Sequence, residues 1–254
     1  MHLDLVTVAC LRDNYAYLVV CPETGEAALV DAPEAAPIAA ALLERGLRLS
    51  HILLTHHHAD HTDAVAELRA GGAQVIGAAA DAHRLPPLDM ALRPGDRFEI
   101  FGEDVHVMAA DGHTLGHIAY HVPALGAVFT GDSLMALGCG RLFEGSAAQM
   151  WQTLSALAAL PDETLVCSGH EYTLSNARFA VTIEPGNAAL TSRLKRVEVA
   201  RSEGRPTVPS LLSEELETNP FLRAGLPALK SAIGMQEEDD AAVFAEIRRR
   251  KDEF

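Results

Sequence analysis

Residues 55–61, with the sequence THHHADH, constrain this chain more than any other stretch. They concentrate four imidazoles and one carboxylate in seven residues, directly after the apolar run ILL. Alternate side chains of an extended segment point the same way, so His56 and His58 can chelate one ion while His57 points away. Asp60 and His61 follow along the turn and can serve a second ion. Such a mixed set suits Zn, Fe or Mn rather than Ca or Mg, and it predicts a transition-metal site.

Three further segments share one pattern, in which a strand-like run leads to a residue that can bind metal. These runs lead to His113, Asp132 and His170. In layered α/β folds, functional groups gather where strands end and loops begin. We therefore expect a binuclear centre, with Asp132 bridging two ions. The expected ligands are His56, His58 and His113 for one ion, and Asp60, His61 and His170 for the other. His117 lies four residues beyond His113, and we expect it to have a structural role.

The hydrophobic pattern predicts two regions that differ in texture. Residues 1–170 alternate short β-type and helical runs, which is typical of an α/β fold, whereas residues 171–254 are helical. The predicted strands are 3–9, 16–20, 27–31, 51–54, 74–77, 105–109, 118–122, 127–129 and 164–167. The predicted helices are 35–45, 63–70 and 147–160 in the first region, and 176–183, 188–202, 228–234 and 238–251 in the second.

Composition excludes several classes of function. The net charge of −15, from 35 acidic and 20 basic residues, argues against a nucleic-acid partner. No apolar run approaches the ~18 residues of a membrane span, and the amino terminus lacks a basic signal-peptide region. The four cysteines form no C-x-x-C pair, which favours reduced thiols and a cytoplasmic location. A basic run at 248–251, RRRK, is either an ordinary helix end or part of an anion site.

The metal-ligand motifs resemble those of the metallo-β-lactamase superfamily. The relevant motifs are THHHADH at 55–61, GHT at 112–114, GD at 131–132 and GH at 169–170. The resemblance implies an αβ/βα sandwich that carries a binuclear site. It does not specify the substrate, because this superfamily hosts several chemistries on one fold.

Further motifs resemble those of the glyoxalase II, or hydroxyacylglutathione hydrolase, family. They are GCGRLFEG at 138–145, GHEYT at 169–173, ETNPFLR at 217–223 and RKDEF at 250–254. The resemblance implies a catalytic domain at 1–170 and a helical substrate-binding domain at 171–254. It assigns glutathione binding to Arg141, Phe143, Tyr172, Arg248 and Lys251. Phe143 stands where some family members have tyrosine, so only ring packing is carried over at that position.

The activity implied by the resemblance is hydrolysis of S-D-lactoylglutathione and other 2-hydroxyacylglutathiones, the second step of methylglyoxal detoxification. A hydroxide bridging two divalent ions is the expected nucleophile, with Asp60 and Asp132 as catalytic residues. Zinc is the first expectation for the metal, with Fe and Mn as alternatives. We expect a cytoplasmic monomer that binds neither nucleic acid nor membranes. The alternatives are a persulfide dioxygenase of the same superfamily, with a single iron, and a nonenzymatic metal- or glutathione-binding protein.

Overall fold

The computed structural model describes residues 2–254, which form two compact units. The first unit runs to Ala110 and includes Leu115–Gly131, whereas the second comprises Asp111–Thr114 and Asp132–Phe254. This division into units differs from the domain boundary that the sequence predicts after residue 170. That boundary stays a prediction.

The first unit contains a six-stranded mixed sheet in the order β1-β2-β3-β4-β5-β6. Strands β1 to β3 pair in antiparallel fashion, and β3 to β6 pair in parallel. The elements of this half are β1 (Asp4–Cys10), β2 (Asn14–Cys21), β3 (Glu26–Val30), α1 (Ala35–Arg45), β4 (Arg48–Leu53), α2 (Ala59–Thr62), α3 (Val65–Leu68), β5 (Gln74–Ala78) and β6 (Met90–Leu92). The interior strand β2 is buried along its whole length, which explains its nearly continuous apolar sequence.

Four antiparallel strands complete the first unit and pack on the mixed sheet. They are β7 (Arg97–Ile100), β8 (Glu103–Ala109), β9 (Ile118–Val122) and β10 (Ala127–Gly131). Two buried contacts join the layers: the rings of Tyr17 and Phe129 lie 5.6 Å apart, and the Tyr120 hydroxyl donates a 2.9 Å hydrogen bond to the Leu54 carbonyl. The first unit is therefore a sandwich of two sheets. The residues that follow β3, β4 and β10 include candidate functional residues.

The second unit is mainly helical. Its elements are β11 (Leu134–Met135), β12 (Gly138–Cys139), α4 (Ala147–Ala158), β13 (Leu165–Ser168), α5 (Thr173–Ile183), α6 (Ala188–Ser202), β14 (Ser210–Leu211), α7 (Leu212–Thr218), α8 (Pro227–Ile233) and α9 (Asp240–Glu253). Ser146 and Gln149 form a reciprocal capping box at the start of α4. The Phe221 ring packs 6.1 Å from Phe179 and 5.8 Å from Phe244, which ties α5 and α9 to the segment after α7.

The predicted elements agree with the structure best where periodicity is strong. The helices at 35–45 and 188–202 and the strand at 118–122 have the predicted bounds. The prediction of one helix over 63–70 is wrong, because α2, α3 and a 3₁₀ turn occupy residues 59–71. Strands β6, β7, β11, β12 and β14 and helix α7 lie outside the predicted elements, since each is too short to show a clear period. Across residues 2–254, no helix is both long enough and apolar enough to cross a membrane.

Candidate metal centre and substrate-binding residues

The first unit brings together four of the predicted metal ligands after β4. His58 is the N-cap of α2, with extended backbone angles of φ −60° and ψ 143°, so the chain turns within the ligand motif. The His56 ring centroid lies 4.7 Å from that of His58 and 4.2 Å from that of His61. His56 and His61 are fully buried. Four predicted ligand residues, three histidines and one aspartate, thus occupy one loop and the first turn of a short helix, where their ring nitrogens and carboxylate can bind cations.

Asp31, which the sequence analysis missed, holds this loop. Its Oδ2 accepts hydrogen bonds from His61 Nδ1 at 2.8 Å and from the Thr55 hydroxyl at 2.8 Å, and its Oδ1 accepts one from the Thr55 amide at 2.9 Å. A bond at Nδ1 leaves His61 Nε2 as the nitrogen that can bind metal. Asp31 itself has a left-handed φ of 58° directly after β3. In the sequence, only its position at the end of a predicted strand pointed to Asp31 as a functional residue. Aspartate is one of the residues that tolerate a left-handed conformation.

Asn14 positions Asp60. Its side-chain amide donates to the Asp60 carboxylate at 3.0 Å and also to the Asp60 carbonyl at 3.0 Å. Asn14 is buried at the start of β2, 46 residues away in sequence, so no local pattern could have indicated this contact. The two bonds fix both the backbone and the carboxylate of a predicted catalytic residue.

His57 and His117 have other contacts. His57 Nδ1 lies 2.9 Å from the carboxylate of the buried Asp81, to which Arg84 also donates, and its ring is 6.4 Å from that of His56. His117 stacks on His56, with ring centroids 4.6 Å apart and planes inclined by 13°, and its Nδ1 lies 3.1 Å from the Ile118 carbonyl. These contacts orient the loop around His56 from two sides.

The second unit brings together the other three predicted ligands. Asp132 Oδ2 lies 3.2 Å from His170 Nε2 and 3.5 Å from His113 Nε2. All three residues are buried, with exposures of 4 to 5%. His113 Nδ1 lies 2.8 Å from the Arg141 carbonyl, which again directs Nε2 toward the carboxylate. The Asp132 carboxylate is thus flanked by two imidazoles, and its role as a shared ligand stays a prediction.

Gly112 and Gly131 allow the turns that precede His113 and Asp132. Gly112 has φ 139°, and a Cβ there would lie 2.7 Å from Met150 Cβ. Gly131 has φ 49°, and a Cβ there would lie 2.5 Å from the Thr55 hydroxyl. Both the positive φ and the close approach exclude side chains, so glycine is required before these two ligands.

Two predicted substrate residues present exposed aromatic rings beside the ligands of the second unit. Phe143 is 63% exposed with its ring 5.2 Å from that of His113, and Tyr172 is 39% exposed and stacks on His170 at 4.6 Å. Exposed rings in these positions offer an apolar surface at the edge of the candidate centre.

The residues of the basic run at 248–251 differ in their environment. Arg249 pairs with Glu246 and Glu253, and Arg250 pairs with Glu246, so both form ion pairs within α9. Arg248 is 5% exposed and donates to the Cys139 carbonyl and to Asp252, each at 2.9 Å. The run at 248–251 therefore does not form one continuous cationic surface.

Lys251 and Arg141 are the accessible cations among the predicted substrate residues. Lys251 Nζ donates to the Ser175 carbonyl at 3.2 Å and lies 5.2 Å from the ring centroids of Phe179 and Phe254. Burial, and after it the neighbouring Arg248 and Arg141, lower the pKa of Lys251 to about 8, against the opposing effect of Asp252. The Arg141 side chain is 67% exposed, with Nε 3.9 Å from Asp252.

The donor atoms fit transition-metal ions. His56 and His61 lie in one buried cluster whose donor atoms are within 4.8 Å of one another. Asp31 belongs to the same cluster, but its carboxylate accepts hydrogen bonds from Thr55 and His61. Imidazole Nδ1 atoms engaged with oxygen leave Nε2 for a cation, and buried carboxylates balance its charge. Nitrogen and oxygen donors of this kind suit Zn, Fe or Mn.

Comparison with known proteins defines the class first. A family model described as Metallo-beta-lactamase superfamily matches residues 11–170, and this agrees with the sandwich and the His and Asp clusters. The fold is therefore the αβ/βα sandwich of that superfamily with a C-terminal helical region, as predicted, and divalent-metal binding is indicated. TTHA1623 in a di-iron-bound form is 30% identical, with a TM-score of 0.54, and the match covers 66% of this chain and 91% of that one.

The second half of the chain narrows the class. A family model described as Hydroxyacylglutathione hydrolase C-terminus matches residues 171–254. The hydroxyacylglutathione hydrolase of Cereibacter sphaeroides is 64% identical over 255 residues, and that of Ruegeria pomeroyi is 63% identical, with both chains fully covered in each case. The chain belongs to the hydroxyacylglutathione hydrolase family, which confirms the resemblance seen in its motifs.

Proposed function

We propose that this protein hydrolyses S-D-lactoylglutathione and other 2-hydroxyacylglutathiones to the hydroxy acid and glutathione, in a cytoplasmic location and as a monomer. The observation that carries the proposal is full-length identity of 64% to a protein named hydroxyacylglutathione hydrolase. The match of residues 171–254 to the C-terminal family model disfavours the persulfide dioxygenase alternative.

We assign two divalent ions to the ligand sets of the two units, with zinc as the first candidate and Fe or Mn as alternatives. One ion would be held by His56, His58 and His113 and the other by Asp60, His61 and His170, and Asp132 would serve both. When bound, such ions lower the pKa of a coordinated water from 15.7 to roughly 7 and polarise the thioester carbonyl. The nitrogen and oxygen donors of both sets, of which His56, His61, His113, Asp132 and His170 are buried, support this assignment.

The protein's own groups orient the reaction. Asp60, fixed by Asn14 at 3.0 Å, accepts a hydrogen bond from the attacking water and so aims its lone pair. Asp31 and the Arg141 carbonyl hold the Nδ1 atoms of His61 and His113 at 2.8 Å each. Expulsion of glutathione needs no strong general acid, because free thiols have a pKa of about 8.5.

Glutathione carries two carboxylates, and an acidic protein needs local cations to bind it. Arg141 and Lys251 can supply them, and Phe143 and Tyr172 offer rings against which the peptide can pack. Arg248 remains in the proposed set of substrate residues. Its contacts with Asp252 and the Cys139 carbonyl also hold in place the backbone beside Arg141.

The thiol portion should decide the choice of substrate. Every thioester presents the same carbonyl, so the enzyme must discriminate through contacts with the thiol portion. Losing the charged contacts to glutathione costs a few kcal/mol, so kcat/KM should be roughly 100-fold higher for lactoyl-glutathione than for lactoyl-coenzyme A. Steady-state hydrolysis of both thioesters by one preparation, with a parallel metal count, measures this ratio. Equal values would refute the glutathione assignment, and about one ion per chain would favour the dioxygenase alternative.

Substrate affinity should weaken above about pH 8. The pKa of Lys251 is lowered to about 8, chiefly by burial, so its positive charge is lost as the pH rises through that value. We therefore expect KM for lactoylglutathione to rise between pH 7.5 and pH 9, as measured on the wild type. Lys251→Met should have a higher KM at pH 7 and no such rise.

Lys251 should leave a matching signature in stability. Its folded-state pKa lies below its ordinary value of 10.5, so the unfolded chain binds more protons between about pH 8 and 10.5. The contribution of Lys251 to the free energy of unfolding should therefore increase with pH in this window.

For the KM measurement, the same pH profile in the wild type and Lys251→Met would show that Lys251 is not part of the substrate site.

A further inference from the structure

A short hairpin in the second unit, formed by β11, residues 136–137 and β12, is held by side chains of the helices. Residues 135 to 138 each use a backbone group for this purpose. Asn219 donates to the Met135 carbonyl at 3.1 Å and to the Gly138 carbonyl at 3.0 Å, and Asn176 donates to the Ala136 carbonyl at 3.0 Å. The Leu137 amide donates to the Glu215 carboxylate at 2.8 Å.

The side chains that grip this hairpin form a buried polar network. Glu215 and Asn219 are fully buried and Arg193 is 2% exposed. Arg193 pairs with Glu215 Oε1 and donates to Thr218 at 2.7 Å, while Asn219 donates to Glu215 Oε2 at 3.1 Å. A buried charge pair is costly to build, although its partners satisfy one another here. The network therefore contributes by holding the surrounding side chains and the hairpin backbone in one arrangement.

The hairpin is strained in a way that needs such support. Leu137 is buried and has a left-handed φ of 57°, which leucine rarely adopts. A Cβ on the next residue, Gly138, would lie 2.4 Å from the Asn176 amide. Hydrogen bonds from Asn176 and Asn219 and to Glu215 therefore support a turn whose backbone conformation is unfavourable for leucine.

The hairpin leads directly to the metal ligands. Gly140 follows β12 and packs so tightly that a Cβ there would lie 2.0 Å from the Asp132 carbonyl and 2.9 Å from His113 Nδ1. The next residue, Arg141, supplies the carbonyl that holds His113 Nδ1 at 2.8 Å. A displacement of the hairpin is thus transmitted within three residues to the orientation of His113 and the backbone of Asp132.

We propose that the Arg193–Glu215–Asn219 network is a positioning device for the His113 and Asp132 ligands, acting through the 134–141 segment. The helical region then has a second role besides substrate binding, because it sets the geometry of part of the metal centre. This inference rests on the metal-ligand assignment of the proposed function. Glu215 and Asn219 are positioning residues, since neither touches the ligands directly.

Asn219→Ala tests the device without adding a charge. We expect its metal affinity, measured by competition with a chromophoric chelator on the purified full chain, to fall about 10-fold or more. Arg193→Lys keeps the buried charge but loses the forked hydrogen bonds, and it should show a smaller loss in the same direction. Zinc alone is the probe, so the measurement needs no substrate.

Glu184→Gln is the matched control. The Glu184 carboxylate pairs with Arg223 at 2.8 and 3.0 Å in the same unit, whereas the hairpin is bonded by Glu215, Asn176 and Asn219. It should lower the melting temperature as Asn219→Ala does while leaving metal affinity unchanged.

Unchanged zinc affinity in a folded Asn219→Ala or Arg193→Lys chain would overturn the proposal. Failure of both variants to fold would also overturn it, because the network would then serve folding alone. A wild type that binds zinc without cleaving lactoylglutathione would refute the proposed function and leave this test intact. A wild type that holds no metal would overturn both.

Discussion

Replacing Asp132 by alanine is expected to remove metal from both proposed positions and to reduce hydrolysis by at least about 10³-fold. The Asp132 carboxylate lies 3.2 and 3.5 Å from the His170 and His113 imidazole nitrogens, and without it no bridging carboxylate is left in the proposed set. Metal-assisted activation of water supplies several kcal/mol, and each ~1.4 kcal/mol is tenfold in rate. Metal analysis and kcat/KM on the same preparation measure both losses.

His57→Ala is the comparison for this variant, because His57 lies in the ligand motif but contacts Asp81 at 2.9 Å. It should keep most of its metal. Retention of one full ion by Asp132→Ala would show that Asp132 is not shared between two positions. An effect of His57→Ala as large as that of His58→Ala would contradict the alternation of side chains on which the ligand assignment depends.

Asp31→Ala should combine a loss of metal affinity with a loss of stability. Three donors, from Thr55 and His61, would lose their acceptors in a buried place, at roughly 1–3 kcal/mol each. Loss of the group that orients His61 should lower metal affinity about 10–100-fold. Alanine also tolerates the left-handed φ of 58° less well than aspartate. Chelator competition and thermal unfolding of the metal-free protein separate the two effects.

Asp31→Asn provides the graded control, because an amide keeps one acceptor for the Thr55 amide but presents an NH₂ group to its other partners. It should fall between wild type and Asp31→Ala in both measurements. Wild-type affinity in a destabilised Asp31→Ala chain would mean that Asp31 supports the loop without orienting His61.

The sequence was most informative where chemistry is local. The THHHADH motif needs only seven residues to place four imidazoles and a carboxylate together, so a metal site could be predicted without a fold. Strong periodicity likewise located α1, α6 and β9 at their observed bounds. The motifs of the second half, from ETNPFLR to RKDEF, indicated the family that the full-length comparisons confirm.

The tertiary structure decided everything that depends on contacts between distant segments. Asn14 reaches Asp60 across 46 residues, and Glu215 reaches Leu137 across 78. The basic run at 248–251 is continuous in sequence, but α9 directs Arg249 and Arg250 into ion pairs along its surface and buries Arg248. Residue types and spacing determine which chemistry a chain can perform. The partners that fix each side chain are chosen only when folding brings separate strands and helices together, because hydrogen bonds act over about 3 Å whatever the separation along the chain.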